Sequence, residues 1–292
     1  MRFYRVYFLI CLTFITSSCA IQDYIMSGAK VTEQFFDTDD GERIAVRYWE
    51  NVKQPVDTVI VISPGLFQNK DTTVFRKIAK DLVSQYDVMV IDYRGHGRSS
   101  GQVYFGQKEH LDLHVVYQFA KSKYAHIGAV GFSLGGVITV KEESLNNMAD
   151  SVVLISTPYD LAKAERGFLN PKEFISAVGI AVQNQELKTP IRLGPVNLSE
   201  KPVERIGSIT NTPILFIHGQ SDAIVSLKHS WELYHHTVAT KDILIIENGL
   251  HAEKLYLADP YLFTSLLIEW FNFTLNPVQS VAANSEATIP VT

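Results

Sequence analysis

The chain reads as an α/β protein, with a mostly parallel sheet covered by helices on both faces. Three observations predict it. Short, continuously apolar and largely β-branched runs lack the polar alternation of a half-exposed strand. Stretches with helical spacing of apolar residues separate them. The alternation then recurs from residue 31 almost to residue 275, the rhythm of repeated strand–helix–strand units.

The elements follow in order. Phe35 and Phe36, then Ile44 to Trp49, flank Asp39-Asp40-Gly41, a turn signal between two strands. Val59-Ile60-Val61-Ile62, preceded by Thr58, is a strand buried on both faces. The segments 87–92, 127–131, 152–155, 213–217 and 243–246 read the same way. Helical patterns cover 74–86, 107–124, 136–147, 227–238 and 260–273. Residues 157–212 break the rhythm, with an apolar stretch from Phe174 to Val182 followed by a loop-like segment from Pro190 to Pro202. They are expected to form a lid inserted between two core strands. The tail, 276–292, is polar and expected to be disordered.

Of the 292 residues, 46% are hydrophobic and 20% charged, enough apolar material for a large core and too much for a mainly disordered chain. The net charge of −5 argues against a nucleic-acid partner.

The first residues form a separate unit. Arg2 and Arg5 precede an apolar run ending at Ile15, and Thr16-Ser17-Ser18 are small and polar, the order of a secretory signal over residues 1–18. The run is short for a transmembrane helix, which needs ~20 residues. Cys19 follows directly, and Ile15-Thr16-Ser17-Ser18-Cys19 resembles a bacterial lipoprotein signal, which implies lipidation of Cys19 and a tether over 19–30. Ala20 after it resembles lipoproteins sent to an outer membrane. The expected location is the cell envelope, with the membrane reached through the lipid anchor. Cys11 and Cys19 are the two cysteines of the chain, so the mature domain is expected to have no thiol for a disulfide, nucleophile or zinc site.

Gly131-Phe132-Ser133-Leu134-Gly135 follows a strand and opens a helix. In such a G-x-S-x-G turn the serine adopts a strained backbone and the glycines remove side chains that would collide. The helix start then aims N–H groups at developing negative charge. A serine nucleophile needs a base, and the base an orienting acid. Asp222 lies just beyond the strand ending at Ile217, and His251 beyond the next. Asp160, shortly after the strand ending at Ile155, is an alternative acid.

With these motifs, 32–275 resembles the α/β-hydrolase superfamily, and in particular the monoglyceride-lipase, lysophospholipase and serine-aminopeptidase-like branch. The resemblance rests on Asp92-Tyr93-Arg94-Gly95-His96-Gly97-Arg98-Ser99-Ser100, on the serine motif, and on His218-Gly219 with Asp222 and Val225. It implies an α/β-hydrolase fold with Ser133 as nucleophile, Asp222 as acid and His251 as base. It further implies an oxyanion hole from the backbone N–H groups of Leu134 and Leu66, although Pro64-Gly65, preceded by Ser63, stands where many relatives have His-Gly.

Other candidates are assigned structural roles. His110 and His114 are four apart on a helix, but Leu111 stands where a zinc protease has Glu and no third ligand is evident, so no metal is expected. His96 is expected to stabilise its loop, His218 to brace the loop of Asp222, and His235-His236 to end a helix. Gly95-His96-Gly97 lacks the third glycine of a dinucleotide site, and no cofactor is expected. The expected function is cleavage of a small-molecule acyl ester or lipid through an acyl-enzyme. A peptidase or amidase on the same scaffold, or a non-catalytic envelope binding protein, are the alternatives.

Overall fold

The computed structural model describes residues 28–164 and 191–275. The signal segment, Cys19, most of the tether, the apolar lid stretch and the tail from 276 lie outside the described residues.

Eight strands form one sheet: β1 (Ala29–Asp37), β2 (Arg43–Asn51), β3 (Thr58–Ser63), β4 (Asp87–Ile91), β5 (His126–Phe132), β6 (Ser151–Ile155), β7 (Ile214–Gly219) and β8 (Lys241–Ile246). Their spatial order is β1-β2-β4-β3-β5-β6-β7-β8. β2 runs antiparallel to both β1 and β4, and the other neighbours are parallel. The hairpin closes where the Asp39-Asp40-Gly41 signal placed it, with Gly41 at φ +87° and the Thr38 N–H donating to Glu42 O at 2.8 Å. β1 begins at Ala29, which is fully buried, so the last residues of the expected 19–30 tether are sheet.

The absence of alternation in the strand sequences has a direct structural reading. Val59 and Val61 enter one core cluster and Ile60 and Ile62 the other, one on each face of the sheet. Each such side chain contributes roughly 1.5–3 kcal/mol on burial. The first face is covered by α2 (Glu109–Lys123) and α3 (Leu134–Asn146), which supply Leu113, Val116, Val137 and Ile138. The second is covered by α1 (Thr73–Leu82) and, near the end of the chain, α7 (Pro260–Leu275), which supply Phe75, Ile78, Leu267 and Phe271.

The lid expectation splits. Its ends are described, and they are ordered against the core. The chain returning from the insertion pairs with the loop after β4: Val103 N–H donates to Arg192 O at 2.8 Å, and Arg192 N–H to Gly95 O at 2.9 Å. A short helix α4 (Pro202–Arg205) follows, where a loop was expected to run as far as Pro202. α5 (Leu227–His236) connects β7 to β8, and α6 (Glu253–Ala258) precedes α7. No helix among the described residues is long and apolar enough to cross a membrane.

Ala29 and Thr274 both lie at the N-terminal edge of the parallel strands, on strands well apart in the sheet. Ala29 pairs with Asn51, and the Thr274 hydroxyl donates to Ser151 Oγ at 2.8 Å at the foot of β6. The opposite edge holds the site.

Candidate active site

From β3 the chain crosses to β4 on one side and then returns to form β5 on the other, so the order reverses between β3 and β5. Ligands of open α/β sheets bind at the carboxyl ends of strands at such a switch point. Here the two strand ends deliver the Ser63–Phe67 loop and Ser133, in register through Ser63 and Gly131.

Ser133 stands between β5 and α3 with φ +50° and ψ −114°. A non-glycine residue there is strained by roughly 1–3 kcal/mol, which packing must hold in place. That packing is visible at the glycines. A Cβ on Gly135 would overlap the Ser63 carbonyl and lie 2.6 Å from Pro64 O, while one on Gly131 would lie 2.6 Å from Gly136 Cα. Helix α3 therefore starts against the end of β3 with no room for side chains. The Ser133 N–H donates to Ile155 O at 2.9 Å, tying the turn to β6.

Asp222 follows β7. Its Oδ1 accepts the N–H groups of Ile224 and Val225, both at 2.9 Å, and its Oδ2 lies 2.7 Å from His251 Nδ1. Burial works to raise this carboxyl, but the His251 hydrogen bond and charge, with the Val225 and Ile224 donors, outweigh it and leave it below its ordinary value. The carboxylate is thus ionised and fixes the ring so that Nε2 faces away from it. His218 sits beneath, with Nε2 2.8 Å from Val225 O and 3.4 Å from Asp222 Oδ2, and Nδ1 2.6 Å from Ser230 Oγ. The Val225 carbonyl can only accept, so Nε2 carries the proton and the Ser230 hydroxyl donates to Nδ1. Burial pushes the His218 ring down, keeping it neutral.

Of the two candidate acids, Asp222 is the one hydrogen-bonded to His251. Asp160 accepts the Ala162 N–H at 3.0 Å, capping the turn Leu161–Lys163, and makes no bond to His251. His251 and Ser133 are brought to the same strand end through Ser156, whose Oγ accepts the Ala252 N–H at 3.0 Å. Among the described residues no hydrogen bond joins Ser133 to the His251 ring. Such contacts are often long until substrate is bound.

The loop after β3 closes the other side of the mouth. A Cβ on Gly65 would lie 3.5 Å from Ser133 Cβ. Ser63, just ahead of Pro64-Gly65, accepts the Tyr93 hydroxyl at 2.8 Å, so the Asp92-Tyr93-Arg94 motif holds the loop's root. Neither the Leu66 N–H nor the Leu134 N–H has a hydrogen-bond partner among the described residues.

His114 and His236 make their hydrogen bonds away from Ser133. His114 Nδ1 lies 2.7 Å from Glu142 Oε1, and no group of three or more His, Cys, Asp or Glu among the described residues could hold a metal ion. His236 Nδ1 bonds back to Glu232 O at the end of α5. Two contributors went unseen in the sequence. Ser156 gave no signal beyond its place after β6, and Gln68, whose Oε1 accepts the Gly65 N–H at 3.1 Å, gave none.

An eight-stranded sheet with β2 reversed, a strained serine after β5, and an acid–histidine pair after β7 and β8 define the α/β-hydrolase fold. The comparisons agree. The α/β-hydrolase fold model matches residues 58–185. An uncharacterized protein of Bacillus subtilis, YqkD, is 25% identical over 206 residues, 68% of this chain and 67% of its own length. The Pyrococcus furiosus esterase Pf2001 superposes with a TM-score of 0.70 at 21% identity, covering 86% of this chain and 94% of that one. An esterase from a Rhodococcus species, RhEst1, gives 0.65 at 17%, over 83% and 99%. Est1E of Butyrivibrio proteoclasticus, solved with ferulic acid bound, gives 0.62 at 16%, also over 83% and 99%. At these identities the structural likenesses show the fold alone.

Proposed function

We propose that the protein is a serine hydrolase that cleaves carboxylic acyl esters, of the lipase or lysophospholipase kind, through an acyl-enzyme on Ser133. The observation that carries this is the 2.7 Å pair of His251 Nδ1 and Asp222 Oδ2 at the strand end that also holds the strained Ser133. Ser133 Oγ attacks the ester carbonyl while His251 Nε2 takes its proton. The N–H groups of Leu66 and Leu134 receive the oxyanion, a contribution worth roughly 3–4 kcal/mol per donor in the transition state. His251 then returns the proton to the leaving alcohol. Water, deprotonated by the same ring, attacks the acyl-enzyme and releases the acid. Asp222 stays ionised throughout and holds the ring.

A fluorophosphonate probe should label the protein, and Ser133→Ala should abolish both labelling and p-nitrophenyl ester hydrolysis. Labelling that persists in this variant overturns the assignment. A panel of acyl chain lengths, with aminoacyl amides beside it, separates a lipase-like esterase from an amidase. For location, we propose lipid anchoring at Cys19 in the cell envelope, supported by the order of basic, apolar and small residues ahead of it. Radiolabelled palmitate should enter the wild type, and incorporation that survives Cys19→Ala counts against that residue.

A further inference from the structure

The loop carrying Leu66 presents consecutive amides, and side chains have claimed the two that flank it. The Gly65 N–H donates to Gln68 Oε1 at 3.1 Å, and the Phe67 N–H donates to His96 Nε2 at 3.3 Å. The Leu66 N–H between them has no partner among the described residues. Phe67 itself sits at φ +66°, in the left-handed region a bulky residue adopts only when held there.

His96 is built for this contact. It comes from the loop after β4 and is 3% exposed. Its Nδ1 lies 3.2 Å from Arg94 O. A carbonyl accepts and a backbone N–H donates, so the proton must be on Nδ1 and the lone pair on Nε2. Burial, opposed by the Arg94 carbonyl, pushes the ring's pKa down to about 4, so the lone pair stays available through the neutral range. The ring's own backbone is pinned as well. The His96 N–H donates to Tyr93 O at 2.9 Å, and neighbouring Gly95 is held by Ser100 and by Arg192 of the returning lid segment.

We infer that His96 is a positioning residue for the oxyanion hole: its neutral ring captures the Phe67 N–H and thereby leaves the Leu66 N–H turned toward Ser133. The inference rests on the acyl-enzyme reading above. Gln68 performs the matching task on the other flank. His96 touches no reacting atom and acts through the loop.

The test compares His96→Leu, which keeps bulk but has no acceptor, with His96→Gln, whose amide oxygen can replace Nε2. With p-nitrophenyl butyrate, His96→Leu should lower kcat by about 10- to 100-fold, short of the 10²- to 10³-fold loss of a whole donor. KM should stay within about twofold, since the oxyanion forms only in the transition state. Binding of a trifluoromethyl ketone, which forms a tetrahedral adduct, should weaken by the same factor as kcat. His96→Gln should recover most of both. Gln68→Leu, acting on the opposite flank, should reproduce the kcat loss if His96→Leu fails to fold. Unchanged kcat in the folded leucine variants overturns the inference, as does a loss that the glutamine variant does not repair. If Ser133→Ala still labels with fluorophosphonate, the parent reading fails. If it does not label and the leucine variants are neutral, the role of His96 alone fails.

Discussion

Replacing Gly136 with alanine tests the packing that sets up the serine turn. A Cβ there would overlap Thr157 Oγ1 and lie 2.9 Å from Thr157 Cγ2. Thr157 is fully buried. Overpacking of this kind costs about 1–3 kcal/mol, partly offset by the ~1 kcal/mol that alanine gains over glycine in a helix. A net loss of about 1 kcal/mol is expected at this site in the first turn of α3. Thr157→Ala removes the two obstructing atoms. Its Oγ1 has no hydrogen-bond partner among the described residues, so the loss is essentially one buried methyl, about 1 kcal/mol. Were the sites independent, the double variant would lose about 2 kcal/mol. With the obstruction gone the ~1 kcal/mol helical gain of alanine offsets the lost methyl and stability should be nearly that of the wild type, a coupling of about 2 kcal/mol across the cycle. Urea denaturation of the four proteins, followed by tryptophan fluorescence, measures this directly. Losses that add to within about 0.5 kcal/mol would refute the argument that α3 is seated against the end of β6 by the absence of a side chain.

Three further outcomes follow from buried charges. Asp222→Asn keeps an acceptor for the Ile224 and Val225 N–H groups but no longer selects the His251 tautomer, so kcat should fall by about 10⁴-fold with little change in Tm; activity within tenfold of wild type would remove Asp222 from the mechanism. Lys70 is fully buried, with its ammonium 2.9 Å from Glu33, 2.8 Å from Asp71 and 3.1 Å from the equally buried Asp92. Lys70→Met strands that carboxylate and should destabilise by about 3–5 kcal/mol in urea; a loss under 1 kcal/mol would show the cluster to be wetter than the packing suggests. Burial pushes the Glu143 carboxyl up from 4.5 to about 8, outweighing the Ala149 N–H that its oxygens accept. The folded state therefore holds this proton more tightly than the unfolded chain. The resulting stability is complete below about pH 4.5 and is lost as pH rises toward 8. Glu143→Gln should close that leak, with an advantage over wild type growing to roughly 2–4 kcal/mol by pH 8; a difference independent of pH would contradict it.

Much of this architecture was legible because it is written locally. Thr58-Val59-Ile60-Val61-Ile62 has to be a strand with two buried faces, and Gly131-Phe132-Ser133-Leu134-Gly135 has to be a tight turn between strand and helix. Asp222 and His251 could be placed because each follows such a strand. What escaped was written at long range. The Ser156 bond to Ala252 spans 96 residues and the Phe67 bond to His96 spans 29, and neither leaves a periodic trace. Arg192, which pairs with Gly95 and reaches the carbonyls of Gly101 and Ser99, sat in a segment that looked like plain loop. The choice between Asp160 and Asp222 had the same character, since both follow strands and only the distance to His251 separates them.

The placement of Ala29 and Leu275 has a consequence for where the rest of the chain joins the sheet. Ala29 and Leu275 leave from the edge of the sheet opposite Ser133, about one strand length away. The seven residues of β5, which leads to Ser133, at ~3.3 Å each make that roughly 23 Å. An anchor ahead of Ala29, as proposed for Cys19, would therefore join the sheet at the edge away from Ser133.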